Sequence, residues 1–268
     1  QVYSKVKKNE LAILNYSKSL LYEPDNSDAY FFRGKLYYEQ NNFEKAQIDF
    51  DTALQKRKDN DALYGFLAID NLKNNLFTEA DKMANKGLFY NENCADCLLV
   101  KSIIEYKKNP TIALEYLFKA FKNNVDTIEI NFFSKNSFDV DCAQSINVFF
   151  QNREKTLKTA EDFIALGKMA SWFSMANFST KFYLKSCSIK TNYVNTYLLA
   201  KCFFDAKKHN DALQYCNKSL LQNPYFEEAK LLKTNTLIKQ KKYKTALTNI
   251  NQLIQQNPYN PHYLTIKS

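Results

Sequence analysis

The sequence predicts an all-α fold made of short helices arranged in tandem pairs. Apolar and small residues recur at helical spacing on two consecutive segments of Ser27–Asn60, and the same pattern returns along the chain. The 268 residues contain four glycines and five prolines, too few for a β-protein rich in turns. Hydrophobic residues make up 45% of the chain and aromatic residues 15%, which is enough to bury a large core.

Ser27–Asn60 is predicted to form two amphipathic helices joined by a turn. Small residues such as Gly34 and Ala46 leave room for a close approach of the two helices, and aromatic residues fill the space beside them. The residues that share these two faces are Tyr30, Arg33, Gly34 and Tyr37 on the first helix, and Ala46, Phe50 and Ala53 on the second.

This unit resembles a tetratricopeptide (TPR) repeat, a 34-residue pattern with an aromatic residue, Leu-Gly, Tyr, Ala, Phe, Ala and Pro at fixed positions. The resemblance implies an α-solenoid of tandem helix-turn-helix repeats that winds into a right-handed superhelix, with a concave groove lined by the first helix of each repeat. Further copies of the pattern lie in Asp61–Cys94, Ala95–Thr127, Ala160–Tyr193, Val194–Phe226 and Glu227–Asn260.

The chain begins inside the pattern. Tyr3 matches a position near the end of a first helix, Ala12 a position in a second helix, and Pro24 the closing proline, so we expect a cut first repeat. At the other end, Pro261–Ser268 begins another first helix and stops. We therefore expect the chain to be a segment of a longer protein.

The stretch 128–159 spans nearly one repeat length but lacks the small residues of the pattern, so we expect a degenerate repeat or an insertion. The predicted domains are accordingly repeats in 1–127, this segment, and repeats in 160–268. Within the segment a helix is expected from about Asp141 to Gln151, because Asp141 can cap its N-terminus. The apolar residues of this helix are Ile146, Phe149 and Phe150.

The charge of the chain disfavours nucleic acid as a partner. The formal net charge is +9, but only Arg33, Arg57 and Arg153 are arginines, whereas nucleic-acid sites usually rely on Arg for bidentate and stacking contacts. Binding of RNA through the lysine-rich surface stays an alternative that predicts a steep loss of affinity with salt. No apolar run approaches the roughly 18 residues of a membrane span.

Few residues of the sequence suit catalysis or metal binding. Cys94 and Cys97 have the C-x-x-C spacing of a redox or zinc pair, but no second pair accompanies them, and the favoured interpretation is packing. His209 and His262 do not belong to a recognisable nucleophile motif, and no phosphate-binding glycine loop is present. We therefore expect no enzyme activity, metal or cofactor, and the scattered cysteines favour a reducing compartment.

The concave groove implied by the resemblance is the remaining candidate for function. Its mostly apolar side chains suit an apolar or amphipathic segment of a partner protein. Trp172 is the strongest candidate, because tryptophan is enriched at binding hot spots and the chain contains one. In the alternatives, these residues only contact neighbouring repeats, or the missing termini fill the groove. The predicted groove residues are Phe31, Lys35, Tyr38, Ile69, Leu72, Leu99, Ile103, Tyr106, Ile164, Lys168, Trp172, Leu198, Leu231 and Asn235.

One ligand class of the family is disfavoured. Repeats that bind the C-terminal tails of Hsp70 and Hsp90 hold the terminal carboxylate with Lys and Asn side chains on successive first helices. The clamp is absent here, because the matching positions carry glycine or apolar residues, namely Phe31, Gly65 and Leu99, followed by Phe32, Phe66 and Val100.

Besides RNA binding, two protein-binding functions remain open. The leading hypothesis is a cytoplasmic, non-enzymatic scaffold that holds protein partners, as a subunit of a multi-protein complex. The alternative is a regulatory arm that selects substrate proteins for a larger enzyme such as a transferase or ligase.

Overall fold

The computed structural model describes residues 2–125, 143–258, 260, 263, 265 and 266, and the side chains among these except those of residues 2–7 and 143. Within these ranges the chain forms fourteen α-helices and no β-strand, which confirms the all-α prediction. The chain divides into two compact units, Gln1–Asp139 (unit 1) and Val140–Ser268 (unit 2). In the described residues no helix is both long and apolar enough to cross a membrane.

The described part of unit 1, residues 2–125, consists of one long helix followed by three helix pairs. Its helices are α1 (Val2–Tyr22), α2 (Ser27–Glu39), α3 (Phe43–Lys56), α4 (Asp61–Lys73), α5 (Phe77–Tyr90), α6 (Ala95–Glu105) and α7 (Pro110–Lys122). The pairs α2/α3, α4/α5 and α6/α7 follow the predicted repeats, so the first helices of this unit are α2, α4 and α6.

Unit 2 begins with a single helix and continues with three further pairs. Its helices are α8 (Ala143–Thr156), α9 (Ala160–Trp172), α10 (Ala176–Ile189), α11 (Tyr193–Asp205), α12 (His209–Gln222), α13 (Glu227–Lys239) and α14 (Tyr243–Gln256). The first helices of the pairs in this unit are α9, α11 and α13.

The helices of a pair meet where a small residue faces a large one. An ideal Cβ added to Gly34 of α2 would lie 2.8 Å from Cε1 of Phe50 on α3. In unit 2, a Cβ on Gly167 of α9 would lie 2.4 Å from Cε1 of Tyr183 on α10. Both distances are shorter than van der Waals contact, so these two interfaces require glycine, as the alternation of large and small residues predicts.

Serine hydroxyls form hydrogen bonds between the two helices of a pair, at the end where the first helix begins. Ser27 Oγ donates to the carbonyl oxygen of Ala53 at 2.9 Å, and Ser186 Oγ donates to the carbonyl oxygen of Ala160 at 3.0 Å. Asn60 Nδ2 then donates to Ser27 Oγ at 3.1 Å, which links the next repeat to this end. These buried polar groups therefore have partners, and the bonds fix the relative height of the two helices.

The turns inside five of the six pairs, all except α6/α7, each contain a residue in the left-handed backbone region. Asn41 and Asn75 have φ of 60°, a conformation that asparagine tolerates. In unit 2 the corresponding residues include Lys207 and Lys241, with φ of 60° and 59°. The Cβ of a lysine makes this conformation sterically unfavourable, so these two turns carry backbone strain.

Replacing Lys241 by Gly is expected to stabilise unit 2 by about 0.5–1 kcal/mol, because relief of the left-handed strain outweighs the backbone entropy that glycine loses on folding. The matched control is Lys239→Gly at the end of α13, where the backbone is helical and the same change should lower stability. Urea unfolding of both variants checks the prediction, and a loss of stability in Lys241→Gly contradicts it.

The prediction for the start of the chain is wrong. The repeat pattern required a turn between Tyr3 and Ala12, but α1 is a single helix of 21 residues, Val2–Tyr22. Turns elsewhere in the chain, such as residues 240–242, also contain neither glycine nor proline, so a turn depends on the packing of two helices against each other and not on a match to the repeat pattern.

The helix expected from about Asp141 to Gln151 is present as α8, which is described from Ala143 and continues to Thr156, beyond the predicted end. The expected cap, Asp141, lies outside the described residues. Phe150 is fully buried and packs against Phe178 and Phe182 of α10, with ring centroids 5.2 and 5.4 Å away. The helix is therefore an integral part of unit 2.

Candidate functional site

Part of the predicted groove in unit 1 lies in the core. The aromatic ring of Phe31 packs between α3 and α4, with centroids 6.4 Å from Phe50 and 6.1 Å from Phe66. First helices of consecutive repeats lie side by side, so an apolar residue on this face is covered by its neighbour. Five of the predicted residues are at most 5% exposed, namely Phe31, Ile69, Leu72, Leu99 and Tyr106.

The other predicted residues of unit 1, Lys35, Tyr38 and Ile103, are exposed or half-buried. Tyr38 is the centre of a small group, because its ring meets Phe66 edge-on with centroids 5.5 Å apart and its hydroxyl donates to Asp70 Oδ1. The Lys35 Nζ lies 5.7 Å from the centroid of the same Phe66 ring. We call Lys35, Tyr38, Phe66 and Asp70 the Tyr38 cluster.

The Tyr38 cluster keeps its phenol protonated. Burial and the hydrogen bond to Asp70 raise the pKa of Tyr38 to about 12. Tyr38 is therefore a hydrogen-bond donor at neutral pH, already oriented by the carboxylate. Phe66 and Asp70 are not among the predicted groove residues; the available signal was the Asp70 carboxylate within helix α4.

All six predicted groove residues of unit 2 are half-buried. Ile164, Lys168 and Trp172 are spaced four residues apart, so they lie along one face of α9. Partial burial lowers the pKa of the Lys168 ammonium, since a less hydrated site disfavours its charge. The other three residues are Leu198 of α11, and Leu231 and Asn235 of α13. We call these six residues the unit 2 stripe.

An open cavity of ≈ 530 Å³ adjoins the unit 2 stripe at Leu231. Its walls include the aromatic rings of Tyr193 and Phe226, whose centroids are 5.0 Å apart at an interplanar angle of 76°, and the carboxylate of Glu228. Burial and the nearby Glu228 carboxylate raise the pKa of Tyr197. This end of the stripe therefore combines apolar surface with the carboxylates of Glu227 and Glu228.

The residues considered for chemistry do not form a metal site. Among the described residues, no group of three or more His, Cys, Asp or Glu side chains is placed to hold a metal ion. Cys94 and Cys97 are adjacent and buried. His209 lies at the start of α12, where its ring packs on Phe204 with centroids 5.7 Å apart, and His262 is outside the described residues.

Comparisons with known proteins agree with this architecture. Residues 27–60 match the family model of the tetratricopeptide repeat, and residues 177–253 match the model of anaphase-promoting complex, cyclosome, subunit 3. A comparison with curated protein sequences finds no match.

Solved structures are similar to the chain at low sequence identity. A tetratricopeptide repeat protein from Parabacteroides merdae is 13% identical with a TM-score of 0.50, over 99% of this chain and 94% of that chain. PilF from Pseudomonas aeruginosa is 17% identical with a TM-score of 0.40, over 90% of this chain and 96% of that chain. At these identities the likeness concerns the fold alone.

The stacked helix pairs, with a small residue facing a large one at their contacts, define an all-α helical-repeat protein. Residues 27–60 carry a tetratricopeptide repeat, and the helix pairs of the described residues have the fold of tetratricopeptide repeat proteins. Proteins of this family are protein-interaction scaffolds, and the fold is typically non-catalytic.

Proposed function

We propose that the chain is a non-enzymatic scaffold that binds segments of partner proteins on the first helices of its repeats. The observation that carries this proposal is the unit 2 stripe, where Ile164, Leu198 and Leu231 remain half-buried on three different first helices. A core position would be fully covered, whereas a half-buried apolar side chain gains from a further apolar contact. A partner segment supplies that contact.

Trp172 is the central residue of the proposed site. It ends α9 and meets Phe173 with ring centroids 4.8 Å apart, so its indole is half-buried and held by its neighbour. A large aromatic side chain held in this way loses little conformational entropy on binding, which is the usual basis of a hot spot. The carboxylate of Glu228, near Leu231, favours a basic side chain at the other end of the bound segment.

In unit 1 the proposal is limited to the accessible residues. Lys35, Tyr38 and Ile103 remain candidates for binding a partner, and the oriented phenol of Tyr38 gives a hydrogen bond of defined direction. The five buried residues, by contrast, stabilise unit 1 by packing. A change at any of them is expected to unfold the unit rather than to weaken binding alone.

The proposal includes membership of a multi-protein complex. It is supported by the match of residues 177–253, most of unit 2, to anaphase-promoting complex subunit 3. A second candidate, a substrate-selecting arm of a larger enzyme such as a transferase or ligase, is compatible with the same surface. We place the chain in the cytoplasm, since the cysteines of the described part are free thiols.

Affinity purification of the full chain from its native cells tests the proposed site. The double variant Trp172→Ala, Leu198→Asp is expected to lose the partners that the parent retains, because it removes the aromatic anchor and introduces a charge into the stripe. The matched control is Leu247→Asp on α14, a second helix, where the leucine is 45% exposed. Circular dichroism confirms that all three proteins are helical.

The proposal is contradicted if the double variant retains the same partners as the parent, or if Leu247→Asp loses them equally. The second outcome would move the binding surface to the second helices.

A further inference from the structure

Two thiols lie side by side at the start of α6. The Sγ atoms of Cys94 and Cys97 are 3.0 Å apart. Cys94 is the N-cap residue of α6 and Cys97 lies three residues further, so the first turn of the helix brings both sulfurs to one side. A disulfide bond is about 2.05 Å long, so the two sulfurs need to approach by only about 1 Å.

The surrounding helices make room for both sulfurs. An ideal Cβ on Gly87 of α5 would lie 2.4 Å from Sγ of Cys97, and one on Gly65 of α4 would lie 3.3 Å from Sγ of Cys94. The cysteines are 5% and 0% exposed, respectively. Packing alone requires a small side chain at each position, but it does not require two thiols at this distance and orientation.

The two thiols differ in acidity. In the neutral pair the Cys94 thiol donates to Cys97 Sγ. When Cys94 is ionised the Cys97 thiol donates to it instead, and this hydrogen bond lowers the pKa of Cys94, together with the Cys97 backbone N–H and against burial and the carboxylates of Asp61 and Asp96. The same hydrogen bond and burial raise the pKa of Cys97. A helix N-terminus also favours a thiolate. Cys94 therefore has the character of a nucleophile, and Cys97 that of the thiol that attacks it afterwards.

We propose that Cys94 and Cys97 form a peroxide-sensitive dithiol that is converted reversibly into an internal disulfide. The Cys94 thiolate attacks one oxygen of hydrogen peroxide, the S–O bond forms, the O–O bond breaks, and the departing hydroxide takes up a proton to give water. The sulfur of Cys97 then attacks the sulfenic sulfur of Cys94, and the S–O bond breaks. The departing hydroxide takes the Cys97 thiol proton, which gives a second water.

The location of the two cysteines is compatible with the entry of hydrogen peroxide and with later reduction of the disulfide. Hydrogen peroxide is small, and the turn before Cys94, residues 91–93, is exposed. Opening of the first turn of α6 is a local motion that does not require either unit to unfold. A low-molecular-weight thiol such as glutathione returns both cysteines to thiols by two exchange steps and is itself oxidised to its disulfide.

Mass spectrometry of the full chain tests the proposal. The reduced protein is freed of reductant, treated with an excess of hydrogen peroxide, unfolded and alkylated, and its peptides are then mapped. The peptide that contains Cys94 and Cys97 is expected to lose the mass of two hydrogen atoms and to escape alkylation, and glutathione should restore it. Cys216 is the matched control, since it is fully buried and burial raises its pKa to about 12, so it should stay alkylated. Alkylation of both Cys94 and Cys97 after peroxide overturns the proposal.

Two single variants test the difference between the thiols. In Cys97→Ser the hydroxyl still donates to Cys94, so dimedone should trap a sulfenic acid at Cys94. In Cys94→Ser no adduct is expected at Cys97. Equal labelling of the two variants overturns the assigned roles, and thermal melts show whether each variant is folded. The peptide map of the parent protein tests the formation of the disulfide even if neither variant folds.

Discussion

The Asp49→Ala variant is expected to lose about 3 kcal/mol of unfolding free energy, at the lower end of what breaking a buried ion pair costs. Asp49 of α3 is 3% exposed and accepts two hydrogen bonds from Arg33 of α2, from Nε at 2.8 Å and from Nη2 at 2.7 Å. The variant leaves the guanidinium without its counter-charge between the rings of Tyr30 and Tyr37. Urea unfolding followed by circular dichroism measures the loss.

Asp25→Ala is the matched control for this prediction. Asp25 pairs with Lys56 at 2.6 Å, but its side chain is 86% exposed, so its loss should cost less than about 1 kcal/mol. Equal losses in the two variants would contradict the view that burial, and not the ion pair as such, makes Asp49 important.

The Gly167→Leu variant is expected to lose about 1–3 kcal/mol, because the added side chain overpacks the contact between α9 and α10. Its Cβ alone would lie 2.4 Å from Cε1 of Tyr183, which is itself 2% exposed and has no space to retreat. Thermal melts measure the loss, and hydrogen exchange should show it concentrated in the neighbouring repeats.

Lys201→Leu places the same side chain on the exposed surface of α11 and should change stability by less than about 0.5 kcal/mol. If Gly167→Leu melts at the same temperature as the parent, the register in which α9 and α10 pack is wrong.

The helix pairs could be predicted from the sequence because their faces are set by residues close together in the chain. Ser27–Asn60 contains α2 and α3, and the small residues Gly34 and Ala46 lie where the spacing requires. The continuous α1 could not be predicted in this way. The repeat pattern assigns a residue to a position, but it does not tell whether the helix is interrupted there, because turns such as residues 240–242 contain neither glycine nor proline.

The groove was harder to predict, because the position of a residue in the repeat indicates which way its side chain faces but not how much of the side chain is exposed. Phe31 and Leu198 occupy the same repeat position, yet the first is 4% exposed and the second is half-buried. The difference depends on which side chains of the adjacent first helix pack on each residue. Phe31, for example, is covered by Phe66 of α4. That information lies one repeat away in the sequence and depends on how closely the two helices approach.

The cysteine pair shows a related limit. The spacing of Cys94 and Cys97 is visible in the sequence, but it does not tell whether the sulfurs meet or point apart. Their contact depends on the space that Gly65 and Gly87 leave on two other helices. Both glycines belong to the preceding repeat, and the sequence alone does not connect them with the thiols.

Hydrogen exchange of the chain, free and in complex with a partner that copurifies with it, tests the proposed function most directly. Binding on the unit 2 stripe predicts slower amide exchange in the first helices α9, α11 and α13, with the greatest change around Trp172. Protection confined to the second helices α10, α12 and α14 would contradict the account.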